Sequence, residues 1–93
     1  MNINLVILGV TGSIGKNTLE IVRCHSELFR ITGISLHTNI EQLPAIIKDF
    51  APQYITITDK GTYQKIKQEW NYPITLLYGD EGLKTMISLE ETD

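Results

Sequence analysis

Leu5-Val6-Ile7-Leu8-Gly9-Val10-Thr11-Gly12-Ser13-Ile14-Gly15 decides how the rest of the chain is read. A short apolar run, rich in branched residues, passes into three glycines spaced three apart, and an amphipathic helical pattern follows at once. This predicts a buried strand, a tight turn and the head of a helix. Each glycine has a separable task in such a corner. One lets the chain turn sharply, one lets backbone approach a bound group, and one lets the helix pack on the sheet. A helix head presents N–H groups without intrahelical partners and a partial positive charge, so the corner suits a phosphate or pyrophosphate. The P-loop alternative needs G-x-x-x-x-G-K-[ST]. Here Gly15-Lys16 is followed by Asn17, and Val10 stands where the first glycine is required, so that reading fails twice.

Working outward, strands are expected at about 4–8, 30–36, 54–57 and 74–78. Helices are expected at about 14–24, from 40 to 50, from 60 to 70 and after 82. In the first helix Ile14, Leu19, Ile21 and Val22 supply apolar surface, and Ser13 is a candidate cap. Ile40, Leu43, Ile46, Ile47 and Phe50 show the clearest helical period, with Asn39 as its expected N-cap and Pro44 as a residue that delays or kinks the start. Asp59 is placed to cap the third helix, and Tyr63, Ile66 and Trp70 share one face. Leu83, Met86 and Ile87 are expected inward on the last helix, and 90–93 form an acidic tail. Alternating strands and helices predict an α/β class: a Rossmann-like doubly wound parallel sheet in three α/β/α layers. The expected strand order is 3-2-1-4, which sets the first and fourth strands side by side at a switch point.

Composition narrows the function classes. Ninety-three residues make one small domain, and 42% hydrophobic with 20% charged residues describe a soluble globular chain. A net charge of −3 and a pI near 5.3, without a basic cluster, argue against a nucleic-acid surface. No run approaches the roughly 18–20 apolar residues of a membrane span. The start, Met1-Asn2-Ile3-Asn4, lacks the positive charge of a signal peptide, so a cytoplasmic location is expected, or an organellar one if a transit peptide has been removed. The lone Cys24 excludes an internal disulfide and reads as an inert packing residue. The carboxylates Asp49, Asp59, Asp80, Glu81, Glu90, Glu91 and Asp93 are scattered over loops, helix starts and the tail, so neither a catalytic constellation nor a metal site is expected.

The loop after the second strand bears on the cofactor. NAD-preferring folds place an Asp or Glu there, roughly 20 residues past the glycines, to bond the ribose hydroxyls. This chain has Ser35-Leu36-His37-Thr38-Asn39 and no carboxylate before Glu41. That favours NADP over NAD, with His37 as a donor to the 2′-phosphate that strengthens on protonation.

The Gly-Val-Thr-Gly-Ser-Ile-Gly form of 9–15, followed by Thr18-Leu19-Glu20-Ile21-Val22, Phe29-Arg30 and Asn39, resembles the N-terminus of the 1-deoxy-D-xylulose 5-phosphate reductoisomerases. The resemblance implies NADPH as cofactor and, in the parent enzyme, a divalent Mg or Mn ion and a homodimer. It implies reductive isomerisation of 1-deoxy-D-xylulose 5-phosphate to 2-C-methyl-D-erythritol 4-phosphate, in the non-mevalonate route to isoprenoids. Carried over by position, Thr11, Gly12, Ser13 and Ile14 hold the pyrophosphate within the Gly9–Gly15 corner, and Asn39 with His37 lies by the 2′-phosphate. Many relatives have Gly-Lys-Asn where this chain has His37-Thr38-Asn39, so the loop lysine is missing. The family's metal-binding, catalytic and C-terminal parts fall beyond residue 93. Residues 1–93 therefore read as the N-terminal part of an NADPH-binding domain, inactive alone. The competing readings are the nucleotide domain of another NADP-dependent oxidoreductase, such as a semialdehyde dehydrogenase, and a non-catalytic dinucleotide-binding module.

Overall fold

The structure, a computed structural model, describes residues 3–92. Met1 and Asn2 of the amino-terminal reading and Asp93 of the acidic tail lie outside the described residues. Strands and helices alternate as β1 (Ile3–Ile7), α1 (Ser13–Cys24), β2 (Phe29–Leu36), α2 (Leu43–Phe50), β3 (Tyr54–Ile57), α3 (Lys60–Gln68), β4 (Thr75–Tyr78) and α4 (Gly79–Thr92). All three strand pairings are parallel.

Helices cover both faces of the sheet. On one face Leu19 and Val22 of α1, Leu43 and Ile46 of α2 and Ile66 of α3 share a buried cluster with Ile34, Ile55 and Ile57 of the strands. On the other face lies α4. Its Met86 is buried against Gly33 and Thr56, whose hydroxyl donates to the Met86 sulphur at 3.4 Å. A Cβ at position 33 would stand 2.7 Å from that sulphur, so glycine there lets Met86 seat as it does. The expected α/β/α layering is therefore present.

The strand order is β1-β2-β3-β4, not the expected 3-2-1-4. β4 pairs with β3, from Tyr54↔Thr75 to Ile57↔Tyr78. The reason lies in which face α3 covers. Parallel crossovers are right-handed, so helices on one face step successive strands in one direction. α1, α2 and α3 all share a face, so β4 is delivered beyond β3. α4 changes face and reaches back across the sheet to touch β1. The change of face thus comes after the fourth strand rather than the third. β1 consequently lies at a sheet margin instead of its centre, with Ile3 56% and Leu8 50% exposed. Among the described residues only β2 pairs with it.

Several local expectations shift with the packing. α2 starts at Leu43, with Gln42 as N-cap and Pro44 in the first turn, where a missing N–H costs nothing. Asn39 is therefore not its cap. In α1, Ile14 and Ile21 point outward while Leu19 and Val22 are buried. Cys24 is exposed rather than packed. Ile87 of α4 is also exposed, and 79–82 open that helix instead of forming a separate turn.

Candidate functional site

Two of the three glycines have the tasks the spacing predicts, a turn at Gly9 and close packing at Gly15. Gly9 has φ +67°, a left-handed turn that glycine adopts at no steric cost. Gly15 is buried, and a Cβ there would sit 2.6 Å from the carbonyl oxygens of both Gly9 and Val10, so α1 can approach the corner this closely only with glycine. Gly12 differs from both. Its φ is −75°, which any residue adopts, and a Cβ would meet nothing nearer than the Gly9 carbonyl at 3.4 Å. Nothing in the chain itself requires glycine at 12. The space a side chain would fill lies open at the helix head, as close approach of a ligand to backbone demands.

Gly12 is also the N-cap of α1, and it gives the helix no side-chain acceptor. Ser13 is the first helical residue and not the cap. The Lys16 N–H closes the first turn on the Gly12 carbonyl at 2.9 Å, which places the Ser13, Ile14 and Gly15 amides ahead of the first intrahelical bond. No acidic residue occupies the first turn to compete for the partial positive charge. Thr11 is half-buried beside these amides, and Ser13 and Ile14 are exposed, Ile14 to 83%. A pyrophosphate fits this arrangement: backbone donors, a dipole of the right sign and no side chain in the way.

The corner is fastened by a residue that the motif does not include. Ser35, buried near the end of β2, accepts the Gly9 N–H on its hydroxyl at 2.8 Å, and its carbonyl accepts the Val10 N–H at 2.8 Å. A polar residue inside an apolar strand was the available signal. Ser35→Ala removes one neutral hydrogen bond and is expected to lower unfolding stability by about 0.5–1.5 kcal/mol. Chemical denaturation measures this; an unchanged midpoint contradicts the fastening role.

Ser35 also ties the corner to the loop that follows β2, so Gly9–Gly15 and His37–Asn39 stand on the same rim of the sheet. His37 Nδ1 is hydrogen-bonded to Thr58 Oγ1 at 2.8 Å, and its Nε2 lies 4.0 Å from Asp59 Oδ1. Asp59 caps α3 through the Thr62 backbone N–H at 3.0 Å and the Thr62 hydroxyl at 2.8 Å. Those two bonds, side chain first, hold the Asp59 carboxyl below the usual carboxylate range. Asn39 Oδ1 accepts from the Glu41 N–H at 3.4 Å, and both His37 and Asn39 are exposed.

Grooves lie between the helices. One of 290 Å³ runs between α1 and α2, where Arg23 is paired with Glu20 and Asp49. One of 270 Å³ lies beside Val22, Ser26 and Phe50. One of 230 Å³ lies between α2 and Trp70. None of these three is lined by Gly9–Gly15, His37 or Asn39. Among the described residues no group of three or more His, Cys, Asp or Glu could hold a metal ion, and no helix is long and apolar enough to cross a membrane.

A parallel sheet layered with helices, with a three-glycine corner opening its first helix, defines a Rossmann-like α/β domain. The sequence model of the family described as 1-deoxy-D-xylulose 5-phosphate reductoisomerase matches residues 5–93, and the chain belongs to that family. Similar curated relatives bear the same description. One from Clostridium perfringens (strain SM101 / Type A) is 43% identical over 91 residues, covering 94% of this chain and 23% of the relative. One from Geobacillus sp. (strain WCH70) is 38% identical over 87 residues, again covering 94% and 23%. The chain thus spans about a quarter of the length of these relatives.

Solved structures agree on the fold. A 1-deoxy-D-xylulose 5-phosphate reductoisomerase from Zymomonas mobilis in complex with NADPH superposes with a TM-score of 0.78 at 21% identity, covering 89% of this chain and 22% of that one. A DOX-P reductoisomerase in complex with NADPH, fosmidomycin and magnesium superposes with a TM-score of 0.73 at 36% identity, covering 86% and 20%.

Proposed function

We propose that this chain is the NADPH-binding portion of a 1-deoxy-D-xylulose 5-phosphate reductoisomerase. In this reading Thr11, Gly12, Ser13 and Ile14 hold the pyrophosphate in the corner shaped by Gly9 and Gly15, and His37 and Asn39 flank the 2′-phosphate. The observation that carries it is the open space at Gly12, which lets a ligand approach the backbone at the head of α1. NADPH bound in relatives of this fold supports the choice of cofactor.

Bound NADPH supplies the hydride for reducing the rearranged sugar phosphate to 2-C-methyl-D-erythritol 4-phosphate. The chain's own residues bind and orient it. Main-chain amides at the head of α1 face the diphosphate, and the open face of Ile14 gives the nucleotide an apolar contact. In this reading the metal-binding carboxylates, the substrate-phosphate site and most homodimer contacts of the parent enzyme belong to parts beyond residue 93. The chain alone is expected to bind cofactor without turnover, in a cytoplasmic setting, or an organellar one if a transit peptide has been removed. Among the described residues only β2 pairs with β1, and α4 runs back toward β1, so a strand following α4 in a longer chain would restore the switch point beside the glycine corner.

Calorimetric titration with NADPH and NADH tests the reading. NADPH is expected to bind more tightly than NADH; absence of binding by either contradicts it. Ser13→Ala is expected to weaken NADPH by about 0.5–1.5 kcal/mol, one ordinary hydrogen bond. An affinity unchanged within a tenth of that range removes Ser13 from the site.

A further inference from the structure

We infer that Asp59 is a specificity residue of the cofactor site: the carboxylate that β2 lacks is supplied from the next strand, where it opposes a 2′-phosphate. The inference rests on the dinucleotide reading above and concerns how sharply NADPH is told from NADH.

In sequence the loop after β2 carries no acid before Glu41, which favours a phosphorylated ribose. In space the loop is not alone. Leu36 pairs with Ile57, so the residues that follow each strand, His37 on one and Thr58-Asp59 on the other, emerge side by side on the same rim. The Thr58 N–H donates to the Leu36 carbonyl at 3.0 Å, which locks the two loops together. The Thr58 hydroxyl lies 3.4 Å from the same carbonyl and donates to it, so it accepts from His37 Nδ1–H at 2.8 Å. The ring is thereby oriented with Nε2 toward Asp59 Oδ1, 4.0 Å away.

Asp59 cannot swing clear without cost. Its Oδ2 takes both Thr62 bonds that cap α3, which leaves Oδ1 directed at His37. A phosphate received by this loop therefore meets a fixed negative charge beside the His37 ring. Part of the histidine's attraction is spent on Asp59, and the 2′-hydroxyl of an unphosphorylated ribose suffers no such repulsion. The loop lacks the lysine that would outweigh this, since Thr38 stands in its place.

The test measures dissociation constants for NADPH and NADH on the chain and on Asp59→Asn. Asparagine caps a helix as well as aspartate does, so the fold is retained. The affinity ratio of NADPH over NADH is expected to rise about two- to fivefold, the range for a partly exposed charge pair, and the gain is expected to fade at about 1 M salt. Asp59→Ser, a second uncharged cap, is expected to give the same rise. Thr62→Ala loosens the cap but keeps the charge, so it is expected to leave the ratio unchanged. A ratio unmoved in both Asp59 variants overturns the inference. So does an equal change for both cofactors, or a shift in Thr62→Ala as large as in Asp59→Asn. If Gly12→Asp abolishes binding while the Asp59 ratio stays flat, only this inference falls. If Gly12→Asp binds normally, the dinucleotide reading falls and takes the inference with it.

Discussion

Gly12→Asp is expected to eliminate dinucleotide binding and leave the chain more stable than before. The two halves of that expectation come from one geometry. Residue 12 is the N-cap of α1, with φ −75° and ψ 172°, a conformation open to any residue. Aspartate is a preferred N-cap where glycine is only tolerated, and a carboxylate suits the positive end of a helix. The substitution therefore adds about 0.3–1 kcal/mol of stability. The same carboxylate fills the space facing the Ser13, Ile14 and Gly15 amides, where the pyrophosphate is read to lie. Like charges brought together at a site cost several kcal/mol, so affinity is expected to fall about a hundredfold or more. Thermal unfolding and titration with NADPH check both parts. Retained affinity contradicts the site; lost affinity with a damaged fold contradicts the account of why glycine stands there.

Gly15→Ala is expected to do the reverse and damage the fold itself. An added Cβ would lie 2.6 Å from the Gly9 and Val10 carbonyl oxygens and 2.7 Å from the Val10 carbonyl carbon. These are backbone atoms of the corner, and Val10 is fully buried, so they cannot turn aside as a flexible side chain would. Relief requires α1 to lift from the sheet, which separates Leu19 and Val22 from the core. Overpacking of this kind costs about 1–3 kcal/mol, and the better helix propensity of alanine returns at most about 1 kcal/mol. A net loss of about 1–2 kcal/mol lowers the melting temperature of a domain this size by roughly 4–16 °C. Calorimetry reads it directly. A melting temperature within two degrees of the parent, about the smallest shift of interest, means that the helix is not seated as described.

These two glycines mark how far the sequence can be read. A three-residue spacing at the end of an apolar run announces the corner, because each glycine's requirement is local: a turn, an approach and a close packing. The alternation of strands and helices and the cap at Asp59 are local too, and they read correctly. Strand order is not local. It depends on which face α3 covers, and the stripe of Tyr63, Ile66 and Trp70 is the same whichever face receives it. The continuous apolar character of β1 points to a central strand, but among the described residues only β2 pairs with it. Ile14 is legible as apolar, yet its direction follows from the angle at which α1 leaves the corner. Ser35 and Asp59 were visible as residues and not as members of the site. Each reaches it through pairing between strands that are far apart in the chain, Ser35 beside β1 and Asp59 beside the end of β2.

The central claim is that main-chain amides in the first strand-to-helix corner face a diphosphate. Amide chemical shifts of the isotope-labelled chain, recorded during titration with NADPH, test it most directly. The account predicts the largest saturable shifts at Thr11 to Gly15, with smaller ones at His37 to Asn39. Shifts confined to the grooves between the helices, or none at the glycine corner at saturating cofactor, would contradict it.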